Sequence, residues 1–259
     1  MSILKRFSLK GKVVLLTGGA GLYGRQLTVA LAEAGAHVVI AARNRARLCE
    51  IARAQAKRGY SVSCEILDQG KERSVLALRR KVLKQFGRVD GLVNNAVARP
   101  MKSLDAPATA WEESLRVNAT GVFLMTRAFG ETMVEQGSGS IVNIGSMMGT
   151  VGPSPEFYEG TGMGTPAPDY FFHKAGMINL TRYFASVFGR RNVRVNCVSP
   201  GGLFNQQPKP FLERYERRTM LGRMAGQDDL GGAVVFLLSD AAGYVTGIDL
   251  PVDGGYTAK

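Results

Sequence analysis

Tyr170 and Lys174 stand four residues apart in the run Tyr170-Phe171-Phe172-His173-Lys174. On a helix that spacing puts both side chains on one face. A free phenol titrates near ~10, too high for a good general base at neutral pH. A neighbouring ammonium favours the phenolate and lowers that value. Tyr170 could then accept a proton from an alcohol, or give one to a carbonyl, as hydride leaves or reaches the same carbon. Ser146, just beyond the apolar run Ile141-Val142-Asn143-Ile144, is placed to orient the substrate oxygen. Asn118 interrupts a helical pattern although asparagine is a poor helix former. It suits a water-mediated proton relay to Lys174, or only a bent helix. Tyr158 competes for the acid/base role, but Gly162 stands where its lysine would be. His173 points elsewhere on the helix and reads as structural.

A hydride needs a carrier, and Thr17-Gly18-Gly19-Ala20-Gly21-Leu22-Tyr23-Gly24 offers a place for one. The run follows a strand pattern and opens a helical one, the context a dinucleotide fingerprint requires. Gly18, Gly21 and Gly24 permit a tight turn and a close approach of backbone to pyrophosphate. The exposed N–H groups of the helix start, around Leu22 and Tyr23, then face the phosphates. A carboxylate about twenty positions on would bind a ribose 2′-OH. Here the second strand ends Ala41-Ala42-Arg43-Asn44, with no carboxylate and an arginine in its place. Arg43, aided by Arg45 or Arg47, can pair with a 2′-phosphate, so NADP(H) is favoured over NAD(H). The plainer role for these arginines is the start of a surface helix. Asp68, at the end of the third strand, is placed either to contact adenine or to cap the next helix.

The elements that must hold these residues read as alternating strands and helices. Apolar, β-branched runs predict strands over 12–17, 36–42, 60–67, 89–94, 140–144, 193–198 and 248–252. Helical periodicity predicts helices over 21–35, 45–58, 71–86, 110–136, 168–189, 211–218 and 228–239. That alternation implies parallel βαβ units and a doubly wound, single-domain α/β Rossmann fold with a parallel seven-stranded sheet over residues 1–259. Ligands of such sheets bind beyond the carboxyl ends of the strands. Gly18, Ala42, Asn94, Ser146 and Pro200 all fall at those ends.

Composition bounds the rest. The chain has 259 residues, a 45% apolar content and no low-complexity segment. No apolar run approaches the ~18 residues of a membrane span, and the start of the chain does not read as a signal peptide. Cys49, Cys64 and Cys197 are odd in number and far apart. They read as reduced core thiols of a cytoplasmic protein rather than a disulfide frame. With only two histidines a metal site has almost no ligands. The net charge of +12 is dispersed over helical patterns, without a basic tail or a nucleic-acid motif, so neither nucleic acid nor membrane is an expected partner.

The chain resembles the classical short-chain dehydrogenases/reductases along essentially its whole length. The resemblance rests on Asn94-Asn95-Ala96, Asn118-Ala119, Ser146, Tyr170-x-x-x-Lys174, Ser199-Pro200-Gly201 and Val252-Asp253-Gly254-Gly255, matching in order. It implies a catalytic tetrad of Asn118, Ser146, Tyr170 and Lys174. It also implies cofactor contacts at Asn94, Ala96, Tyr170 and Lys174, and at Pro200, Gly201 and Leu203, with a small-molecule substrate and a homotetramer. Lys174 would hold ribose hydroxyls.

Several positions depart from that pattern. The glycine turn reads Gly18-x-x-Gly21-x-x-Gly24, with Leu22 where the middle glycine usually stands. Val97 replaces the glycine after Asn-Asn-Ala, and its β-branch is expected to crowd the nicotinamide ribose. Asn205 stands where a threonine often contacts the cofactor. Ser146 and Tyr170 lie 24 residues apart, roughly twice the spacing the resemblance implies. The extra segment, about 151–169, is rich in Gly and Pro and reads as an insertion forming a wall or lid of the substrate pocket. A second, mobile segment is expected over about 202–223. Arg214, Arg217 or Arg218 within it could meet an anionic substrate, though exposed charge is the simpler role. The insertion and the Pro200–Asn205 run together resemble a sugar- and surface-glycan-associated branch.

The substrate implied is then a secondary alcohol/ketone pair on a sugar-like or polyol skeleton. A 3-oxoacyl thioester is an alternative that suits the basic surface. From another class, a catalytically weak cofactor-sensing protein on the same fold would explain Val97 and the shifted glycine.

Overall fold

The computed structural model describes residues 2–259. A short helix α1 (Ile3–Arg6) precedes β1 (Val13–Thr17), α2 (Leu22–Glu33), β2 (His37–Ala42), α3 (Arg45–Lys57) and β3 (Val62–Ile66). The second half-unit runs α4 (Glu72–Phe86), β4 (Gly91–Asn94), α5 (Ala108–Leu115), α6 (Gly121–Gln136) and β5 (Gly139–Ile144). It closes with α7 (Pro168–Phe188), β6 (Val193–Pro200), α8 (Lys209–Arg218), α9 (Gly231–Leu238) and β7 (Asp249–Val252). The seven strands form one sheet in the order β3-β2-β1-β4-β5-β6-β7, all pairs parallel.

Both faces of the sheet are buried, as a parallel sheet requires. Side chains alternate along β1. Val13 and Leu15 join one core with Val75 and Leu78 of α4 and Met125 and Phe129 of α6. Val14 and Leu16 join the other with Leu27 and Leu31 of α2 and Val234 and Leu237 of α9. The chain leaves β1 towards β2 and β3, then returns to place β4 on the other side of β1. Strand order reverses there, and a crevice opens beyond the carboxyl ends of β1 and β4.

Two expectations about local structure need correction. The long helix expected over 110–136 is three pieces: α5, a π-helical turn over Arg116–Thr120, and α6. Asn118 lies in that wide turn and is buried. The cysteines are not all free. Cys49 on α3 and Cys64 on β3 form a disulfide with Cα atoms 5.3 Å apart. They are 15 residues apart in sequence, but α3 folds back along the sheet and brings the two together. Only Cys197 remains a free thiol among the described residues, buried in β6, where burial beside Asp249 pushes it up to about 12.

Candidate active site

The crevice is a cavity of about 800 Å³. One end is the glycine turn. Gly18 sits at φ +69°, and a Cβ there would stand 2.8 Å from Ala96 Cα. Gly24 has no room either, since its Cβ would lie 2.1 Å from the Gly18 carbonyl oxygen. The turn is held by Gly18 N–H donating to Ala41 O at 2.8 Å and Gly21 N–H donating to Gly18 O at 2.9 Å. From there α2 starts without a side-chain cap and without an acidic residue in its first turn. Its first N–H groups therefore point, unpartnered by side chains, at a cavity wall formed by Gly21, Leu22, Tyr23 and Gly24. Tyr23 donates its hydroxyl proton to Gly201 O at 2.8 Å, tying the turn to the loop after β6. Burial raises that phenol well above its ordinary range, so it stays a donor.

Arg43 and Asp68 line the same cavity beyond β2 and β3, and Arg43 is solvent-exposed. Among the described residues Arg43 makes no ion pair. Arg45 and Arg47, the expected helpers, lie outside the lining, where Asn44 caps α3 by accepting from Arg47 N–H at 3.1 Å. Asp68 is not the cap of α4, whose first flanking residue is Lys71. Its carboxylate accepts from Gly70 N–H at 3.2 Å.

Asn94 is not in the cavity wall. Its side chain turns inward, donating to Thr126 Oγ1 at 3.0 Å and to Asn143 Oδ1 at 2.8 Å across the β4–β5 pair. The following residue takes its place. Asn95 lines the cavity and donates to Thr17 O at 2.9 Å and Gly18 O at 3.2 Å, bracing the glycine turn. Ala96 N–H donates to Thr17 Oγ1 at 2.9 Å. Val97 also lines the cavity, and its φ is not positive, so the backbone here has no need of glycine. On the opposite side, Pro200, Gly201, Leu203 and Asn205 complete the lining.

The reacting end gathers around Tyr170, in the first turn of α7, two residues after Pro168. Ser146, buried at the end of the β5 loop, accepts from Met148 N–H at 3.1 Å and faces the same space. Lys174 is 4% exposed, and its ammonium donates to Ile144 O at 2.5 Å. That ammonium lies 5.7 Å from the Tyr170 ring centroid. Burial alone would raise the Tyr170 phenol, but the cations of Lys174 and Arg99 outweigh it, and the net shift is downward. Burial likewise lowers Lys174, opposed by the Tyr170 phenolate.

Asn118 is not brought to this cluster through its side chain. Its amide oxygen accepts from Ala98 N–H at 2.8 Å, and its amide nitrogen donates to Ala98 O at 2.7 Å and Ser114 Oγ at 3.0 Å. Its side chain therefore fixes the loop after β4. His173 packs edge-on against Tyr170, its ring 5.3 Å away, with burial holding it neutral at about 3.

One cavity residue carries no mark in the sequence. The Arg99 guanidinium lies over the Tyr170 ring, its carbon 4.5 Å from the centroid, and lines the cavity. Nothing in the run Val97-Ala98-Arg99-Pro100 marks it; only the path of the loop that Asn118 holds puts it there.

The far wall joins the two segments singled out in the sequence. Phe157 and Tyr158 of the 151–169 insertion pack on Phe211 of α8 with centroids 6.4 and 5.3 Å apart. Tyr256 from the end of the chain packs on both Phe157 and Tyr215. Arg214 of α8 donates to the carbonyls of Glu156 at 2.8 Å, Phe157 at 3.4 Å and Glu159 at 2.6 Å. Met147, Met148, Met163 and Met224 fill the remaining space, so this wall is largely apolar.

A glycine turn at an uncapped helix start, a switch-point crevice and a tyrosine lowered by neighbouring cations define a nicotinamide-dependent oxidoreductase. Comparison with known proteins agrees. The family model described as Enoyl-(Acyl carrier protein) reductase matches residues 23–257. D-threitol dehydrogenase of Mycolicibacterium smegmatis is 35% identical over 98% of this chain and 95% of its own length. Galactitol 2-dehydrogenase (L-tagatose-forming) of Cereibacter sphaeroides is 33% identical over 97% of each. Among solved structures, a gluconate 5-dehydrogenase from Burkholderia cenocepacia in complex with NADP and tartrate superposes with a TM-score of 0.90, at 30% identity and full coverage of both chains. The chain belongs to the classical short-chain dehydrogenase/reductase family. It is an NAD(P)-dependent enzyme that interconverts a secondary alcohol and a ketone.

Proposed function

We propose that this oxidoreductase acts on a sugar-like or polyol substrate with NADP(H) as the preferred cofactor, and that Tyr170 is its general acid/base. The observation that carries the reading is the convergence of Tyr170, Lys174, Arg99 and Ser146 on the cavity that the glycine turn also lines, with the Tyr170 phenol lowered by the two cations. When bound, the nicotinamide would supply the hydride acceptor or donor. Gly21 to Gly24 at the start of α2 would hold its pyrophosphate, Arg43 a 2′-phosphate and Asp68 the adenine. Pro200, Gly201 and Leu203 would border the nicotinamide, with Lys174 at the ribose. In the oxidising direction Tyr170 takes the alcohol proton while Ser146 holds the oxygen in place. In the reducing direction the protonated phenol gives that proton back. Lys174 keeps the phenolate accessible. Asn118 acts here as a positioning residue for the loop that carries Arg99. The similarity to a threitol and a galactitol dehydrogenase supports the polyol part.

Turnover of secondary alcohols with each oxidised cofactor, in wild type and Arg43→Ala, tests this directly. The variant should lose about 10- to 100-fold in NADP(H) affinity, the worth of a charge-assisted contact, with NAD(H) unchanged. Equal losses for both cofactors would remove Arg43 from the 2′-phosphate. Absence of any nicotinamide-linked turnover across a broad alcohol and ketone panel would sink the enzymatic reading in favour of a cofactor-sensing one.

A homotetramer belongs to the same proposal; the Cys49–Cys64 disulfide removes the thiol argument for a cytoplasmic location. Phe123 on α6 and Phe172, Tyr183 and Val187 on α7 leave an apolar face exposed that a second copy would cover. Sedimentation at the mass of one chain would refute it. No helix among the described residues is long and apolar enough to cross a membrane.

A further inference from the structure

Four charged residues line the cavity: Arg43, Asp68, Arg99 and Lys174. Three of them have occupation elsewhere. Arg43 stands at the adenosine end, Asp68 accepts from Gly70 N–H, and Lys174 is buried with its ammonium on Ile144 O. Arg99 is different. It is solvent-exposed, and among the described residues its guanidinium makes no ion pair. What holds it is the face of the Tyr170 ring, 4.5 Å away. A guanidinium held near a π-face still carries five N–H donors; one hydrogen-bonds the Tyr170 hydroxyl, and others are left for a ligand. A guanidinium fork matches a carboxylate in two parallel hydrogen bonds. Phe157, Met163, Phe211 and Met224, which also line the cavity, offer an anion nothing.

From this arrangement we infer that Arg99 is a substrate-binding residue that takes a carboxylate lying close to the reacting carbon, so that the enzyme prefers hydroxy acids and keto acids over neutral polyols of the same skeleton. The inference rests on the proposed function, because it places the carboxylate beside the carbon whose oxygen Tyr170 serves. The cation also helps lower the Tyr170 phenol. A carboxylate paired with Arg99 would therefore couple recognition to the acid/base group. The substrate's charge partly cancels that cation once bound.

Threonate and threitol share a four-carbon hydroxylated skeleton and differ by one terminal carboxylate. Their binding is measured to enzyme saturated with NADPH, where neither can be oxidised, in wild type, Arg99→Gln and Arg99→Lys. Unchanged NADPH affinity in the variants shows that the fold and cofactor site are intact. The expected result is that Arg99→Gln weakens threonate about 10- to 100-fold. Arg99→Lys should recover part of that loss, and threitol should shift by no more than about twofold. Threonate binding that Arg99→Gln leaves unchanged, equal losses for both ligands, or no preference of the wild type for threonate would each overturn the inference. The two readings fail separately. If threonate binds through Arg99 but no alcohol is ever oxidised, the catalytic proposal falls and the anion site stands. If neutral polyols turn over and threonate gains nothing, the reverse holds.

Discussion

Tyr170→Phe is expected to keep the fold and NADPH affinity and to lower turnover by about 10²- to 10⁴-fold, the usual worth of a positioned acid/base. The phenyl ring preserves the packing on Arg99 and the edge contact with His173. Only the titrating oxygen is lost. The pH dependence of the wild type follows from the downward shift of Tyr170 that Lys174 and Arg99 impose against burial. Alcohol oxidation needs the phenolate. It should rise with pH through a limb lying below the ordinary phenol value of ~10, and fall away below it. Ketone reduction needs the protonated phenol and should run the other way, declining as pH rises through the same limb. In Tyr170→Phe both limbs should vanish. Stopped-flow and steady-state profiles in each direction read this out; a variant within tenfold of wild type would remove Tyr170 from the chemistry.

Gly24→Ala should abolish cofactor binding rather than turnover alone. A Cβ at this position meets the Gly18 carbonyl oxygen at 2.1 Å and Gly19 Cα at 2.9 Å. Both neighbours are backbone, so neither can rotate away. Relief requires opening the turn that Gly21 N–H closes on Gly18 O. Overpacking of this kind costs about 1–3 kcal/mol. In a domain of this size each kcal/mol lowers the melting temperature by about 2–4 °C. NADPH affinity should fall by at least about 100-fold, since a shift of ~1 Å in a positioning element costs that much in rate or binding. Gly232→Ala on α9 is the matching control. A Cβ there meets nothing within 4 Å, so affinity and melting temperature should hold or rise slightly. Normal NADPH titration of Gly24→Ala would show that the turn is not the cofactor's seat.

The sheet was legible because its strands are continuous apolar runs and each carries its own turn signal. Tyr170, Lys174 and Ser146 were legible for a related reason. Their neighbours in sequence, a helix face and a strand end, already fix where they point. The failures share a physical cause. Asn94 and Asn95 are adjacent, and a strand sends successive side chains to opposite sides. Asn94 therefore spends its amide on Asn143 in the core, and Asn95 faces the cavity. No local signal distinguishes them. Asn118 looked like a mid-helix fault, whereas the π turn that holds it widens the backbone and directs its amide to Ala98. Cys49 and Cys64 looked remote because chain distance ignores a helix folding back on its strand. Arg99 could not be found at all from its own segment, because its partner lies on α7.

Arg214 has a bearing on how specificity can be re-engineered or inherited. Its three carbonyl partners lie in the insertion, the nearest in sequence 55 residues away. A graft of 151–169 from a relative would bring in carbonyls without the guanidinium that fills them. A graft of α8 would bring in a different side chain under carbonyls left unpaired, each costing about 1–3 kcal/mol if buried. Neither stretch is a portable module. The two form one inherited unit, and substrate preference in this lineage should change by joint replacement, with intermediate chimeras less stable than either parent.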